Sequence, residues 1–308
     1  EIREELACYL AESLIFPVLL SVPPLLLIVW FALSRGLQPL LRLVREIKRR
    51  DPQDLTPLYF SQVPLEVTPL VGALNTLLQR LDKAMEGERA FTGDAAHELR
   101  TPLAGLRVQA QVALRTTDDE IRRKALDQII AGVDQAGHLV EQLLTLSRLD
   151  AAKTLPCQEP VNLYRAALSV ARDLERLAQK RSILIHIHGA EDGEVLGDPG
   201  HLGILIRNLL DNAIRYSPSG EEVSVEVITT AADIRLMVGD HGQGIAESQH
   251  DEVFLRFHRL ADAQSKGSGL GLSIVRRIAE LHGAGVRLLD RPEGGLLVEV
   301  RFPPINPG

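Results

Sequence analysis

Hydrophobic positions change period along this chain, and each change predicts an element. Residues 14–34 carry no charge, and Trp30 and Phe31 stand near one end of the run. A helix of that length rises about 1.5 Å per residue and covers roughly 30 Å, the depth of a hydrocarbon core. Pro17, Pro23 and Pro24 would kink it, which membrane helices tolerate. Leu37, Leu40, Leu41, Val44 and Ile47 then mark a short amphipathic helix. A stretch punctuated by Pro52, Pro57, Pro64 and Pro69 follows, and a second helical run carries Leu70, Leu74, Leu77, Leu78 and Leu81. Phe91, Ala95, Leu99, Pro102/Leu103 and Leu106 continue at three-to-four spacing in a helix that runs to about Arg115. Thr117-Asp-Asp-Glu120 offers a capping box, and Leu126, Ile129, Val133, Ala136, Val140, Leu143 and Leu146 mark a second long helix. Two such helices joined by a short loop make a hairpin. One hairpin cannot bury broad apolar faces alone, so pairing of two copies into a four-helix bundle is expected.

Beyond residue 156 the period alternates. Ser182–His188, Val223–Ile228 and Ile234–Val238 read as strands, and Val286–Leu289 with Leu296–Phe302 as a closing hairpin. Asp198–Arg215 and Leu270–His282 read as helices. Helices on one face of a mixed sheet make an α+β sandwich.

Charge adds direction. Arg35, Arg42, Arg45, Lys48, Arg49 and Arg50 follow the apolar run, whereas Glu1, Glu4, Glu5 and Glu12 outweigh Arg3 before it. The positive-inside rule places everything after Arg35 in the cytoplasm. No basic leader precedes the run and no small-residue cleavage pattern follows it, against a signal peptide. The chain opens on charged residues without Met, which suggests an absent upstream span and extracytoplasmic sensor. A net charge of -7 and 4% aromatics argue against direct binding of nucleic acid. Cys8 and Cys157 fall on opposite sides of the expected membrane span, so no disulfide is expected. Neither lies in a Cys-x-x-Cys, so zinc is not suggested.

Candidate chemistry starts at Phe91-Thr-Gly-Asp-Ala-Ala-His97-Glu98-Leu-Arg-Thr101-Pro102. His97 lies two positions from Leu99, about 160° from the apolar stripe, and is held out to solvent. Read alone, it is better explained as a solvated surface residue. A neutral imidazole has one lone pair for attack on phosphorus, and Glu98 is the adjacent carboxylate that can fix its tautomer and take a proton. Thr101 lies one turn further on the same face, and Pro102 should bend the helix. A His-Glu-x-x-His zinc site is excluded, because Thr101 stands where the second histidine would be.

The second half offers something for His97 to attack. Asn208 and Asn212 share one helix face. Amide oxygens there can hold a hydrated Mg²⁺ that bridges phosphates, with Asn212 the candidate ligand. Arg215 can reach phosphate and Tyr216 can pack on a base. Asp240-His-Gly242-Gln-Gly244-Ile245 follows a strand. A carboxylate there can receive an adenine amino group, and the glycines allow close approach. In Gly267-Ser-Gly269-Leu-Gly271-Leu-Ser273, glycines open a helix whose N–H groups suit phosphate. No Walker A sequence is present. Phe254 and Phe257 suit a core, whereas Arg256 and Arg259 suit phosphate. His186 and His188 alternate on a half-exposed strand, and His201, His250 and His282 read as loop or cap residues.

Taken in order, these segments resemble the H, N, G1, F and G2 boxes of bacterial two-component sensor histidine kinases of the OmpR-partner class. The likeness is greatest to the sensor kinases for quorum-signal and polymyxin-resistance responses, in Asp94-Ala-Ala-His-Glu-Leu-Arg and Gln142-Leu-Leu-Thr-Leu-Ser-Arg-Leu-Asp150. The two short juxtamembrane helices resemble a HAMP relay, with Pro39 and Glu66 at its usual positions. The resemblance implies a multidomain chain: an extracytoplasmic flank (1–13), a transmembrane helix (14–34) and a HAMP-like linker (35–86). A dimeric helical-hairpin phosphotransfer domain (87–152) and an α+β ATP-binding sandwich of the histidine kinase, gyrase and heat-shock type (156–308) follow. It implies an ATP:protein-histidine phosphotransferase in the bacterial inner membrane, its catalytic part cytoplasmic. ATP and Mg²⁺ would be cofactors, and partners a second copy, membrane lipid and a response-regulator receiver domain. His97, Glu98 and Thr101 would be catalytic, the Glu98–Thr101 pair serving a phosphatase reaction. Asn208, Asn212, Arg215, Tyr216, Asp240, Gly242, Gly244, Ile245, Lys266, Gly267, Ser268, Gly269, Leu270, Gly271 and Leu272 would contact nucleotide, with Ala261–Lys266 a lid. Gly239 and His241 depart from the family pattern, which usually has Asn at the latter. A phosphatase-dominant signalling protein and a non-kinase ATPase on the same sandwich stand as alternatives.

Overall fold

A computed structural model describes residues 20–36, 38, 44–46, 48–51, 54–59, 67–152, 154–155, 157–259, 268–291 and 294–304. The chain divides into two compact units, Glu1–Ala90 and Phe91–Gly308, and one helix, α2 (Thr68–Arg115), supplies residues to both. The second helical run and the His97 helix, expected as separate elements, are thus continuous. Between Leu81 and Phe91 the chain has no proline to stop a helix, and α2 also runs through Pro102.

In the first unit, residues 20–36 are helical (α1). Large apolar side chains project all round it, among them Leu25, Leu26, Leu27, Ile28, Trp30 and Phe31, and all are exposed. Residues 14–19 of the expected span lie outside the described residues, as do Cys8, Pro39 and Glu66. Among the described residues no helix is long and apolar enough to cross a membrane. The connector is pinned by Asn75 of α2. Its side chain accepts from the Leu58 N–H at 2.7 Å and donates to the Leu58 carbonyl at 3.1 Å. Leu58 is thereby buried against Val67, Val71, Leu74 and Leu78.

The second unit opens with a helical hairpin. Its loop ends at Asp118, whose carboxylate accepts from the Glu120 and Ile121 N–H groups and so caps α3 (Asp119–Ala151). The ATP-binding sandwich expected from 156 onward follows. Five strands, β2 (Leu184–Gly189), β4 (Glu222–Thr229), β5 (Ile234–Gly239), β6 (Gly285–Asp290) and β7 (Leu296–Phe302), order as β2-β4-β5-β7-β6. β2 pairs parallel to β4 and the rest pair antiparallel. Three helices, α4 (Leu163–Lys180), α5 (Pro199–Tyr216) and α6 (Gly271–Leu281), supply the other layer. β5 reads Ile-Arg-Leu-Met-Val-Gly, and its Ile234, Leu236 and Val238 are buried while Arg235 and Met237 are less so. The period of two thus points one face of the strand at the helices. A small pair, β1 (Glu159–Asn162) and β3 (Glu194–Gly197), precedes α4 and α5. The sequence reading leaves these strands and α4 unassigned. β1 and β3 are four residues each, too short to show a period.

His282 is the C-cap residue of α6, as a cap reading expects, and it is buried and engaged at both ring nitrogens. Nδ1 lies 2.7 Å from the Ile278 carbonyl, and Nε2 accepts the Asp198 N–H at 3.1 Å. It therefore clips the end of α6 to the start of α5, where Asp198 caps the helix through the His201 N–H at 2.8 Å. Burial holds the His282 pKa below its ordinary 6.5, and the nearby His201 acts in the same direction. Protonation would also turn Nε2 from acceptor to donor against a backbone N–H. The folded chain binds this proton less readily than the unfolded one, so the contribution is intact above the ordinary value and lost as pH falls through it. Urea unfolding between pH 7 and pH 5 should show falling stability, with a shallower fall in His282→Gln.

Candidate functional site

One cleft in the second unit gathers most of the residues that sequence singled out. It has a volume of about 1060 Å³ and lies between the hairpin and the sandwich. From the sandwich side, Asn212, Arg215 and Tyr216 come from the last turns of α5, and Asp240, Gly242, Gly244 and Ile245 from the segment after β5. Ser268, Gly269, Gly271 and Leu272 come from the start of α6. From the hairpin side, Glu98 and Thr101 line the same cleft. Antiparallel pairing of β5 with β7 places the Asp240 segment beside Leu296, and α5 and α6 pack side by side across it.

Asp240 is set by two backbone donors. Gly242 N–H reaches its Oδ1 at 2.8 Å and Leu296 N–H at 3.1 Å. The side chain is buried, and desolvation pushes its pKa above 3.8 although those donors, Arg291 and His241 pull it down. Both donors use Oδ1, so among the described residues Oδ2 is the oxygen left for a ligand N–H. Arg215 is held along α5 by Asp211, Nε to Oδ2 at 2.7 Å. Gly269 has φ +69, and a β-carbon there would lie 2.7 Å from the Phe257 carbonyl carbon. Only glycine suits that turn, which keeps the loop's N–H groups close to the cleft.

Other expected residues are placed differently. His97 is exposed on α2 and is not among the lining residues, though its neighbour Glu98 is. Asn208 sits one turn before Asn212 but outside the lining. Its Nδ2 donates to the Ile204 carbonyl at 2.8 Å, and its Oδ1 accepts from Gln142 at 3.4 Å. The Leu270 side chain is fully buried in the core, so only its backbone is available to a ligand. Lys266, Gly267 and the remaining Ala261–Lys266 segment lie outside the described residues. Arg256 is committed elsewhere. Its Nη2 bonds both Asp150 oxygens at 2.8 and 2.9 Å, and its guanidinium lies 5.3 Å over the Phe91 ring. Arg259 does line the cleft.

The hairpin contributes residues that sequence reading missed. Gln142 of α3 is buried. Its Oε1 accepts from Ser268 Oγ at 2.6 Å while its Nε2 reaches Asn208, so one amide joins the segment before α6 to α5. Its signals were a polar residue inside an otherwise apolar stripe and its place at the head of the Gln142–Asp150 run. His138, one turn earlier, lines the cleft facing Asp211, Arg215, Arg207 and Glu141. Burial holds its pKa below the ordinary value, against the pull of Asp211. His250 Nε2 lies 3.0 Å from the Ile245 carbonyl and so braces the segment after Asp240. His186 and His188 face Glu222 and Glu226 at 3.4 and 4.0 Å on the outer sheet face, in keeping with a half-exposed strand.

Comparison with known proteins agrees with this arrangement. Residues 197–306 match the family of histidine kinase-, DNA gyrase B- and HSP90-like ATPases, and residues 88–152 the His Kinase A (phospho-acceptor) domain. Residues 37–83 match the Sensor protein PhoQ-like HAMP domain. Sensor protein QseC of Escherichia coli K12 is 42% identical over 304 residues, 98% of this chain and 67% of the relative. Sensor protein kinase PmrB of Pseudomonas aeruginosa is 42% identical over 295 residues, 95% of this chain and 62% of the relative. The chain thus spans 62–67% of the length of these relatives. The histidine kinase AdeS of Acinetobacter baumannii shares the fold, with a TM-score of 0.55 and 23% identity over 68% of this chain and 98% of that one. Nothing in these likenesses supports a non-kinase ATPase. An ATPase sandwich joined to a phospho-acceptor hairpin and a HAMP relay has one reading: the chain belongs to the HAMP-linked sensor histidine kinases.

Proposed function

We propose that this chain is a membrane-anchored, dimeric ATP:protein-histidine phosphotransferase with His97 as phosphoacceptor. The observation that carries the reading is the shared cleft: Asn212, Arg215, Asp240 and the Gly269 turn line one wall, and Glu98 and Thr101 the other. In the cleft, Asp240 receives the adenine amino group and Tyr216 packs on the base. The N–H groups at the start of α6, with Arg215, meet the phosphates. The Asn212 amide oxygen, a hard neutral donor, would hold Mg²⁺, which neutralises phosphate charge when bound. The His97 lone pair attacks the γ-phosphorus, the bond to the bridging oxygen breaks, and ADP leaves with that electron pair. Glu98 takes the proton from the other ring nitrogen and leaves phosphohistidine neutral at the ring. Such a transfer depends on placement and charge more than on covalent help. His97 stands outside the cleft wall, which suits a group that meets ATP in one step and a receiver-domain aspartate in the next.

Exposure supports the anchoring and the second copy. α1 is apolar on every side, as a lipid-facing helix is. On the hairpin, Leu126, Ile130, Val133, Val140 and Leu144 remain exposed at helical spacing, although Leu139, Leu146 and Leu149 are buried against the sandwich. That leftover stripe suits a second hairpin in a four-helix bundle.

The purified chain should take up radiolabel from γ-labelled ATP with Mg²⁺, acid-labile and alkali-stable. His97→Gln should carry no label, and label at the wild-type level in that variant would refute the reading. Thr101→Ala should keep autophosphorylation within a few-fold. If this face also serves a phosphatase reaction, that variant should release phosphate from the phosphorylated regulator about 10²-fold more slowly.

A further inference from the structure

The two departures from the family pattern around Asp240 have a physical place in the fold. A β-carbon at Gly239 would lie 2.7 Å from Ser224 Oγ and 3.1 Å from Arg291 Nη1, so the bare backbone there makes room for a guanidinium. Arg291 follows directly on β6 and donates from Nη1 to the Asp240 carbonyl at 3.1 Å. His241 is turned to the strand instead. Its Nδ1 lies 2.8 Å from the Glu222 carbonyl and its N–H 3.4 Å from Ser217 Oγ, and it is not among the residues lining the cleft.

We infer that Arg291, admitted by Gly239, is a positioning residue that fixes the purine-reading carboxylate of Asp240 and thereby sets adenine affinity and its dependence on pH. The inference rests on the reading in which Asp240 meets the base. Two effects act together. The hydrogen bond clamps the Asp240 backbone, which the Leu296 carbonyl also holds by accepting the Asp240 N–H at 2.9 Å. Desolvation raises the carboxyl's pKa, and the positive charge of Arg291 pulls against it, in the same direction as His241. Only the ionised carboxylate accepts without also donating, so adenine binding is present above the Asp240 pKa and fades as pH falls through it. Removing the Arg291 charge raises that pKa and moves the loss to higher pH.

The test is calorimetric titration of the detergent-solubilised chain with Mg-ADP and, in parallel, Mg-IDP, whose base lacks the 6-amino group. Arg291→Gln should weaken Mg-ADP by roughly three- to tenfold at neutral pH and leave Mg-IDP nearly unchanged. It should also shift the acid-side midpoint of ADP affinity to higher pH. Arg291→Lys should restore the midpoint, and Gly239→Ala should act in the same direction as Arg291→Gln by displacing the guanidinium. Equal losses for ADP and IDP, or an unmoved midpoint in Arg291→Gln, would overturn the role of Arg291 while the kinase reading stands. If Asp240→Asn fails to weaken ADP in the wild-type background, the assignment of Asp240 to the base falls, and this inference with it.

Discussion

A single buried amide holds the two halves of the site in register. Gln142 projects from the hairpin between Leu139 and Leu146, and exchanges hydrogen bonds with Ser268 and Asn208 of the sandwich. Leaving a buried amide unpaired costs about 1–3 kcal/mol. A slip of α3 by one residue would strand it and turn its apolar neighbours away from their partners. The apolar contacts of Leu139, Leu146 and Leu149 supply most of the attraction, and the amide selects one alignment. The Arg256–Asp150 pair adds less, because both side chains are over a third exposed. Arg277 closes the row by donating to the Leu149 and Ala152 carbonyls at 3.2 and 3.1 Å, the end of α3 where helical partners run out.

The same contacts bind the hairpin to the sandwich side of the cleft. Ser268 belongs to the glycine-rich turn, and Asn208 lies one turn from Asn212. Phe257, which accepts the strained positive φ of +59, donates its N–H to the Gly269 carbonyl at 3.0 Å and stacks obliquely 6.0 Å from Phe91. A non-glycine residue in that conformation costs on the order of 1 kcal/mol. Its neighbours show what keeps it there: one bond braces the glycine-rich turn and one ring contact reaches the hairpin.

Desolvation is the other constraint. The cleft buries Asp240 and half-buries His138, and in both cases burial shifts the group toward its neutral form. Low dielectric makes each remaining charge more effective. It also explains why two backbone N–H groups and a neighbouring guanidinium surround one carboxyl.

Much of this molecule was readable from the chain. Helical period located α3, α5, α6 and, as two separate runs, α2; alternation located the five main strands; and spacing together with the family resemblance named the cleft residues from Asn212 to Leu272. These signals are local, because period and turn chemistry depend on near neighbours. The stripe Leu163, Ala167, Val170, Leu174 and Ala178 carries the period of α4, so that helix was open to the same reading. The four-residue strands β1 and β3 were not. What tertiary structure alone decided are contacts between residues far apart in sequence. Arg256, suited by type to phosphate, is spent on Asp150, 106 positions away. Gln142 meets Ser268 across 126 positions, and Arg291 fills the space left at Gly239. Charge and hydrogen-bonding capacity are properties of a residue, but the partner that uses them is set by which surfaces the fold presses together.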